Sequence, residues 1–137
     1  MKTNHVFYIT IILFSLLFTS CIEQNSDDPN EAYQLWSGRE PEKDVKILNG
    51  QYWRSAHFTY EYYVYLELYT TPEWLKNFIK INKLEVHTSE IYLPDDTPSW
   101  FQPKIGLKAF SSPEDLQGSI YFIDLKTRYL LFHEIQL

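Results

Sequence analysis

Two glutamates, Glu61 and Glu67, stand on the same side of an alternating stretch of the chain. A pair of carboxylates is the catalytic unit of glycoside hydrolases, which hold the two groups about 5–9.5 Å apart. Six residues of extended chain would separate these glutamates by roughly 20 Å. The pair is therefore too widely spaced to act alone, and we assign no catalytic residue from it.

The three histidines beyond the N-terminal segment have no partner nearby in the sequence. On an extended chain His57 lies about 13 Å from Glu61, which is beyond hydrogen-bond reach. His133 and Glu134 are adjacent and so point to opposite faces of a strand, and His87 stands alone. We expect each histidine to be a structural or surface residue. A small envelope hydrolase is the alternative, and it needs distant groups to meet, for example Glu61 and His133.

The sequence offers no motif for a metal, a cofactor or an activated nucleophile. Cys21 is the only cysteine, which excludes an intramolecular disulfide and argues against a structural zinc site. The four glycines are widely scattered, so no glycine-rich loop for phosphate is formed. We therefore expect no metal and no cofactor.

The stretch from His57 to Tyr69 alternates strictly between apolar and polar positions. This period and the many tyrosines predict a half-buried strand. The side from Phe58 to Leu68 should pack on the core. The other side is the predicted binding face, and its members are Glu61, Tyr63, Tyr65, Glu67 and Tyr69. The alternative is that the helix that follows covers this face and makes these tyrosines part of the core.

A helix is predicted to follow this strand over residues 72–82. Thr71 is a good N-cap and Pro72 suits the first helical position. Apolar residues then recur at helical spacing, and Asn82 is expected to end the helix as a left-handed cap.

Short strands are predicted on both sides of these two elements. Asn49-Gly50 is typical of a tight turn between strands at 45–48 and 51–53, or else opens a loop into the long strand. A C-terminal hairpin is expected, because only residues 125–128 separate two strand-like runs. The other predictions are a short helix or turn at 31–38, a strand at 84–87, a loop at 88–104, a strand at 105–110, and hairpin strands at 119–124 and 129–136. The sum is a single α+β domain over residues 31–137, with a small antiparallel sheet and one main helix packed on a face.

The N-terminal residues carry an export pattern. Lys2 is followed by an uncharged, mostly apolar run over residues 6–18, which is too short to span a bilayer and suits the apolar part of a signal peptide. The run ends in the small residues Thr19 and Ser20 and then Cys21. Residues 22–30 are polar and acidic, as expected of a flexible tether.

The order Phe18-Thr19-Ser20-Cys21 resembles the lipobox of bacterial lipoproteins, although Phe18 stands where leucine is usual. The resemblance covers residues 1–21 and implies a signal peptide over 1–20 and a lipidated Cys21 at the start of a tether over 21–30. It also implies attachment to a membrane, and Ile22 after the cysteine favours the outer membrane. The alternative is an ordinary signal peptide or signal anchor with an incidental cysteine.

The net charge limits the classes of partner that such a protein can bind. The formal net charge is −6, which argues against nucleic acid because a basic surface is the first requirement there. We expect a lipid-anchored cell-envelope lipoprotein that acts as a non-catalytic binding module for an envelope protein, peptide or glycan. The alternatives are an immunity or inhibitor lipoprotein, whose acidic charge suits a basic partner, and a structural accessory lipoprotein.

Overall fold

A computed structural model of the chain describes residues 22–57 and 59–137. In this part, seven strands form one antiparallel sheet and two helices pack on it, which confirms the predicted α+β class. The elements are β1 (Gln24–Ser26), α1 (Pro29–Ser37), β2 (Lys46–Arg54), β3 (Tyr62–Tyr69), α2 (Pro72–Ile81), β4 (Glu85–Val86), β5 (Lys108–Ser111), β6 (Ile120–Asp124) and β7 (Tyr129–Gln136). The strand order is β1-β2-β3-β7-β6-β5-β4, so β7 is the central strand and β3 lies between it and β2.

Strand β3 begins at Tyr62, and the prediction that it begins at His57 is wrong. The backbone N–H of Ser55 donates to the carbonyl of Glu61 at 2.9 Å and closes a turn between β2 and β3. Within this turn Tyr60 has a left-handed φ of 54°, which no strand residue adopts. Phe58, predicted to face the core, lies outside the described residues.

Strand β2 runs through Asn49-Gly50 without a break, so neither the predicted turn nor the alternative loop is present. A bulge falls between Ile47 and Asn49 instead. Gly50 is needed for packing, because a Cβ there would lie 2.9 Å from the Cα of Pro29. Its missing side chain lets α1 approach the strand closely, and this tertiary contact outweighs the local turn preference.

The N-terminal segment is more ordered than the predicted tether over residues 21–30. Gln24–Ser26 pairs with β2, and Asp28 caps α1 by accepting the N–H of Glu31 at 2.9 Å. The tether prediction is therefore wrong from residue 24 onward. Cys21 and the predicted signal peptide over 1–20 lie outside the described residues.

Helix α2 forms as predicted and ends at Ile81. The hydroxyl of Thr71 accepts the N–H of Trp74 at 3.1 Å, which is the expected N-cap. Asn82 has an ordinary φ of −83°, so the prediction of a left-handed cap there is wrong. Lys83 takes the left-handed conformation instead, with a φ of 50°.

The main core lies between the sheet and the two helices. Val64, Leu66 and Leu68 of β3 are fully buried there, as the alternation predicts. A second cluster lies on the opposite face under the loop that joins β4 to β5. Its buried members are Tyr65, Phe101, Ile120, Phe122, Tyr129 and Leu131. The C-terminal hairpin of β6 and β7 is confirmed. Neither α1 nor α2, the two helices of the described residues, is long and apolar enough to cross a membrane.

Candidate functional site

Tyr65, at the centre of the predicted binding face, is buried. It is 2% exposed, with the ring of Phe101 edge-on at 5.1 Å and that of His133 stacked at 4.4 Å. Phe101 belongs to the β4–β5 loop, which has no periodic pattern and so gave no sign that it covers Tyr65. The prediction that Tyr65 offers contact surface is wrong. Tyr65 is a core residue, as in the alternative, but the β4–β5 loop covers it and not the helix.

Glu67 is also buried on this face, where hydrogen bonds occupy its carboxylate. It accepts from Asn49 Nδ2 at 2.6 Å and from the Tyr129 hydroxyl at 2.7 Å. Lys104 Nζ lies 3.8 Å from it. Burial, and then the hydrogen bond to Glu67, raise the pKa of Tyr129. This carboxylate holds the β4–β5 loop and three strands together.

The other predicted members of the binding face are spread apart. Tyr63 stacks on Trp53 at 5.3 Å, near the start of β3. Tyr69, 40% exposed, lies at the far end of the strand, roughly 20 Å away. Glu61 is in the β2–β3 turn and accepts a 2.8 Å hydrogen bond from Thr59. The five predicted residues do not form one continuous surface.

The histidines are not brought into catalytic pairs. His87 Nδ1 lies 2.9 Å from the Ser111 hydroxyl, and His57 is exposed in the β2–β3 turn. His133 is 3% exposed, and burial lowers its pKa to about 4 against the opposing charges of Asp96 and Asp115. Among the described residues, no group of three or more acidic, histidine or cysteine side chains is placed to hold a metal ion.

A second carboxylate, Glu134, was not singled out by the sequence. It accepts hydrogen bonds from Trp36 Nε1 at 3.1 Å, from Tyr62 at 2.5 Å and from Tyr121 at 3.0 Å. Burial, and then the charge of Glu134, raise the pKa values of both tyrosines. The sequence did hold one signal for it. Glu134 is two residues after Phe132 and so lies on the same face of the strand, where an acid among apolar residues needs hydrogen-bond donors.

A groove of about 390 Å³ lies between α1 and α2 above this network. Its walls are aromatic, with Trp74 stacked on Phe78 at 5.0 Å and Trp36 at 6.2 Å from Phe78. Ile81 lies at its edge with 76% of its surface exposed. We call this feature the helix groove. The full lining is Tyr33, Trp36, Ser37, Arg39, Glu42, Trp74, Asn77, Phe78, Ile81 and Asn82.

An ion pair marks one edge of the helix groove. Arg39 Nη2 lies 3.0 Å from Glu42 Oε1, and the Tyr33 hydroxyl donates to Glu42 Oε2 at 3.1 Å. Burial opposes ionisation of Glu42, but its own backbone N–H, Tyr33 and Arg39 together lower its pKa. Burial and the Glu42 charge raise the pKa of Tyr33 to about 12. The groove thus combines an apolar floor with a negative and a positive group at one edge.

This arrangement is suited to holding a ligand rather than to a recognisable reaction. An apolar group fits against the indoles, and the charged edge can orient a polar neighbour. The aromatic residues come from both helices and the charged pair from the segment after α1, and the sequence did not place these parts beside each other. Comparison with protein-family models, with curated proteins and with solved structures found no match for this chain.

Proposed function

We propose that this chain is a lipid-anchored lipoprotein of the bacterial envelope. It catalyses no reaction and binds a protein partner in the helix groove. The N-terminal sequence supports the anchor, because the only cysteine follows directly on an apolar export segment. Two or three acyl chains on Cys21 would hold the protein stably, where a single chain would not.

Ile81 is the observation that carries the binding role. Its side chain is 76% exposed at the edge of a groove lined by two tryptophans, so it extends the apolar surface that a partner can cover. Tryptophan and arginine are also the residue types that contribute most to protein interfaces. Trp36, Trp74 and Arg39 place these types around one groove. A protein that inserts an apolar side chain fits this surface better than a glycan, which needs more hydrogen-bonding groups.

The acidic charge of the chain favours a basic partner. The formal net charge is −6, so long-range attraction would speed encounter with a positively charged protein. An immunity or inhibitor lipoprotein that neutralises a basic toxin is one role of this kind. The hydrolase alternative lacks support, because Glu61 is bound to Thr59 in a turn while His133 is buried against Tyr65.

Site-specific photocross-linking in cells tests this role. A photoreactive amino acid replaces Ile81 in one variant and Leu125 in a control, since both side chains are exposed but Leu125 lies in the β6–β7 turn. We expect a discrete protein adduct from position 81 that is absent from position 125. It should also disappear when Trp74→Ala is added.

Two results would contradict the binding role. The first is the same adducts from both positions, and the second is no adduct from position 81 in cells that carry the lipidated protein. A glycan ligand would give the second result together with retention of the purified domain on a glycan column.

A further inference from the structure

One end of the sheet carries the start of β1, which is the first strand after Cys21 in the sequence. Gln24 pairs with Arg54, Arg54 with Tyr62, and Tyr62 with Gln136. Because the strands are antiparallel, the start of β1, the end of β2, the start of β3 and the end of β7 form one row. We call this the anchor end of the domain.

The chain between Cys21 and the anchor end is very short. Only Ile22 and Glu23 separate the cysteine from β1. Three Cα-to-Cα steps reach about 11 Å when fully extended. Glu23 is itself held by a 2.7 Å hydrogen bond from Trp53 Nε1. A lipid on Cys21 would therefore keep the anchor end at the membrane surface.

The anchor end presents side chains that suit the membrane interface. Tyr60 is 51% exposed, and the guanidinium of Arg54 lies 4.8 Å from the centre of its ring. Leu116 is 94% exposed and Leu137 is 73% exposed. A hydrogen bond from the Leu137 N–H to Gln117 places these two leucines in the same region. Tyrosine is enriched at the level of lipid headgroups, and the leucines can enter the outermost apolar layer.

The charges at this end do not form a basic patch. Glu23, Glu61 and Glu114 lie there with Arg54 and Lys83, which pairs with Glu114 at 2.7 Å. Attraction to anionic lipid is therefore not the source of contact. The acyl chains and the apolar side chains must supply it.

We propose that the domain stands upright on the bilayer on its anchor end, with the β2–β3 turn and Leu116 at headgroup level. This orientation rests on the lipidation of Cys21 proposed above. It points the β6–β7 turn away from the membrane, since β3 alone is about 25 Å long. The helix groove then opens sideways at a fixed height, and its partner must lie close to the same membrane.

Spin labels on the mature lipidated protein test the orientation. Once Cys21 is acylated, single cysteines can be labelled at His57 and Leu116 at the anchor end, with Ile105 and Leu125 as controls. All four side chains are exposed, and Leu116 and Ile105 are matched loop aliphatics. The labelled proteins are incorporated into phosphatidylcholine vesicles, with and without phosphatidylglycerol. Collision with an aqueous nickel complex and with oxygen is then measured.

We expect labels at 57 and 116 to lose contact with the nickel complex and gain oxygen contact on incorporation, equally in both kinds of vesicle. Labels at 105 and 125 should remain in water. Four aqueous labels on protein that stays with the vesicles would overturn the orientation and leave the anchor in place. Acylated protein that does not stay with the vesicles at all would overturn both.

Discussion

The indole of Trp36 on α1 donates a 3.1 Å hydrogen bond to Glu134 on β7, a residue 98 positions later in the chain. The same carboxylate accepts from Tyr62 and Tyr121, so it joins the first helix to three strands of the sheet. One wall of the helix groove is thereby fixed to the core. A ligand in the groove would meet a preformed surface, which lowers the entropic cost of binding.

Replacement of Glu134 by alanine should destabilise the domain strongly. Three buried or half-buried donors would lose their acceptor, and each hydrogen bond to a charged group contributes about 1.5–3 kcal/mol. We expect the free energy of unfolding in urea to fall by about 2–4 kcal/mol. Exposed Glu85 provides the control, and Glu85→Ala should change stability by less than about 0.5 kcal/mol. Equal effects of the two substitutions would remove Glu134 from this role.

His133 should make the domain less stable in mild acid. The pKa of His133 is about 4 in the folded protein and about 6.5 in the unfolded chain. Between these pH values the unfolded chain carries the proton more often than the folded protein does, which favours unfolding. The contribution of neutral His133 to the free energy of unfolding is complete above pH 6.5 and is lost as the pH falls towards 4. We expect a loss on the order of 2–3 kcal/mol over this range.

The variant His133→Phe keeps a ring to stack on Tyr65 and cannot titrate. Urea unfolding at neutral pH and at about pH 4.5 should show a much smaller difference for this variant than for the wild type. The same difference in both proteins would assign the acid sensitivity to other groups.

The domain should also lose stability in alkali. Burial and nearby carboxylates raise the folded pKa values of Tyr62, Tyr121 and Tyr129 above the unfolded value of 10. Their contribution is complete below pH 10 and is lost as the pH rises further, because the unfolded chain releases these protons first. Urea midpoints should therefore fall above about pH 10, and less steeply in Tyr121→Phe. A parallel decline in both proteins would contradict this assignment.

Phe101 should hold the β4–β5 loop on the sheet. It is 3% exposed and packs on Tyr65 and Phe122. Phe101→Ala should cost about 3–5 kcal/mol and make the loop susceptible to protease. The neighbouring half-buried Trp100 serves as the control, and Trp100→Ala should cost clearly less. An intact, protease-resistant loop in Phe101→Ala would show that other contacts hold it.

The regular elements could be read from local patterns. The inward face of β3, the capped helix α2 and the C-terminal hairpin each follow from a period or a cap that lies within a few residues. Gly50 shows where this reading ends, because Asn-Gly normally predicts a turn. Here the glycine serves the approach of α1, a contact with Pro29 that no local pattern contains.

The candidate site depended on contacts between distant segments, and so the sequence misplaced it. The outer face of β3 seemed open because the covering loop has no period, yet Phe101 and Lys104 of that loop reach Tyr65 and Glu67. The helix groove requires α1 and α2 to lie side by side on the sheet. The sequence predicted the helix that carries Trp74 and Phe78 and a short helix or turn at 31–38, but not that the two lie together.

Metabolic labelling with a fatty acid tests the lipid anchor most directly. In a bacterial host that processes lipoproteins, the wild-type chain should carry the label and sediment with membranes. Cys21→Ser should lose both properties while its folded domain, tested by the urea midpoint, stays unchanged. Label retained on Cys21→Ser, or a wild-type protein that is exported without any label, would contradict the anchor and the membrane orientation that depends on it.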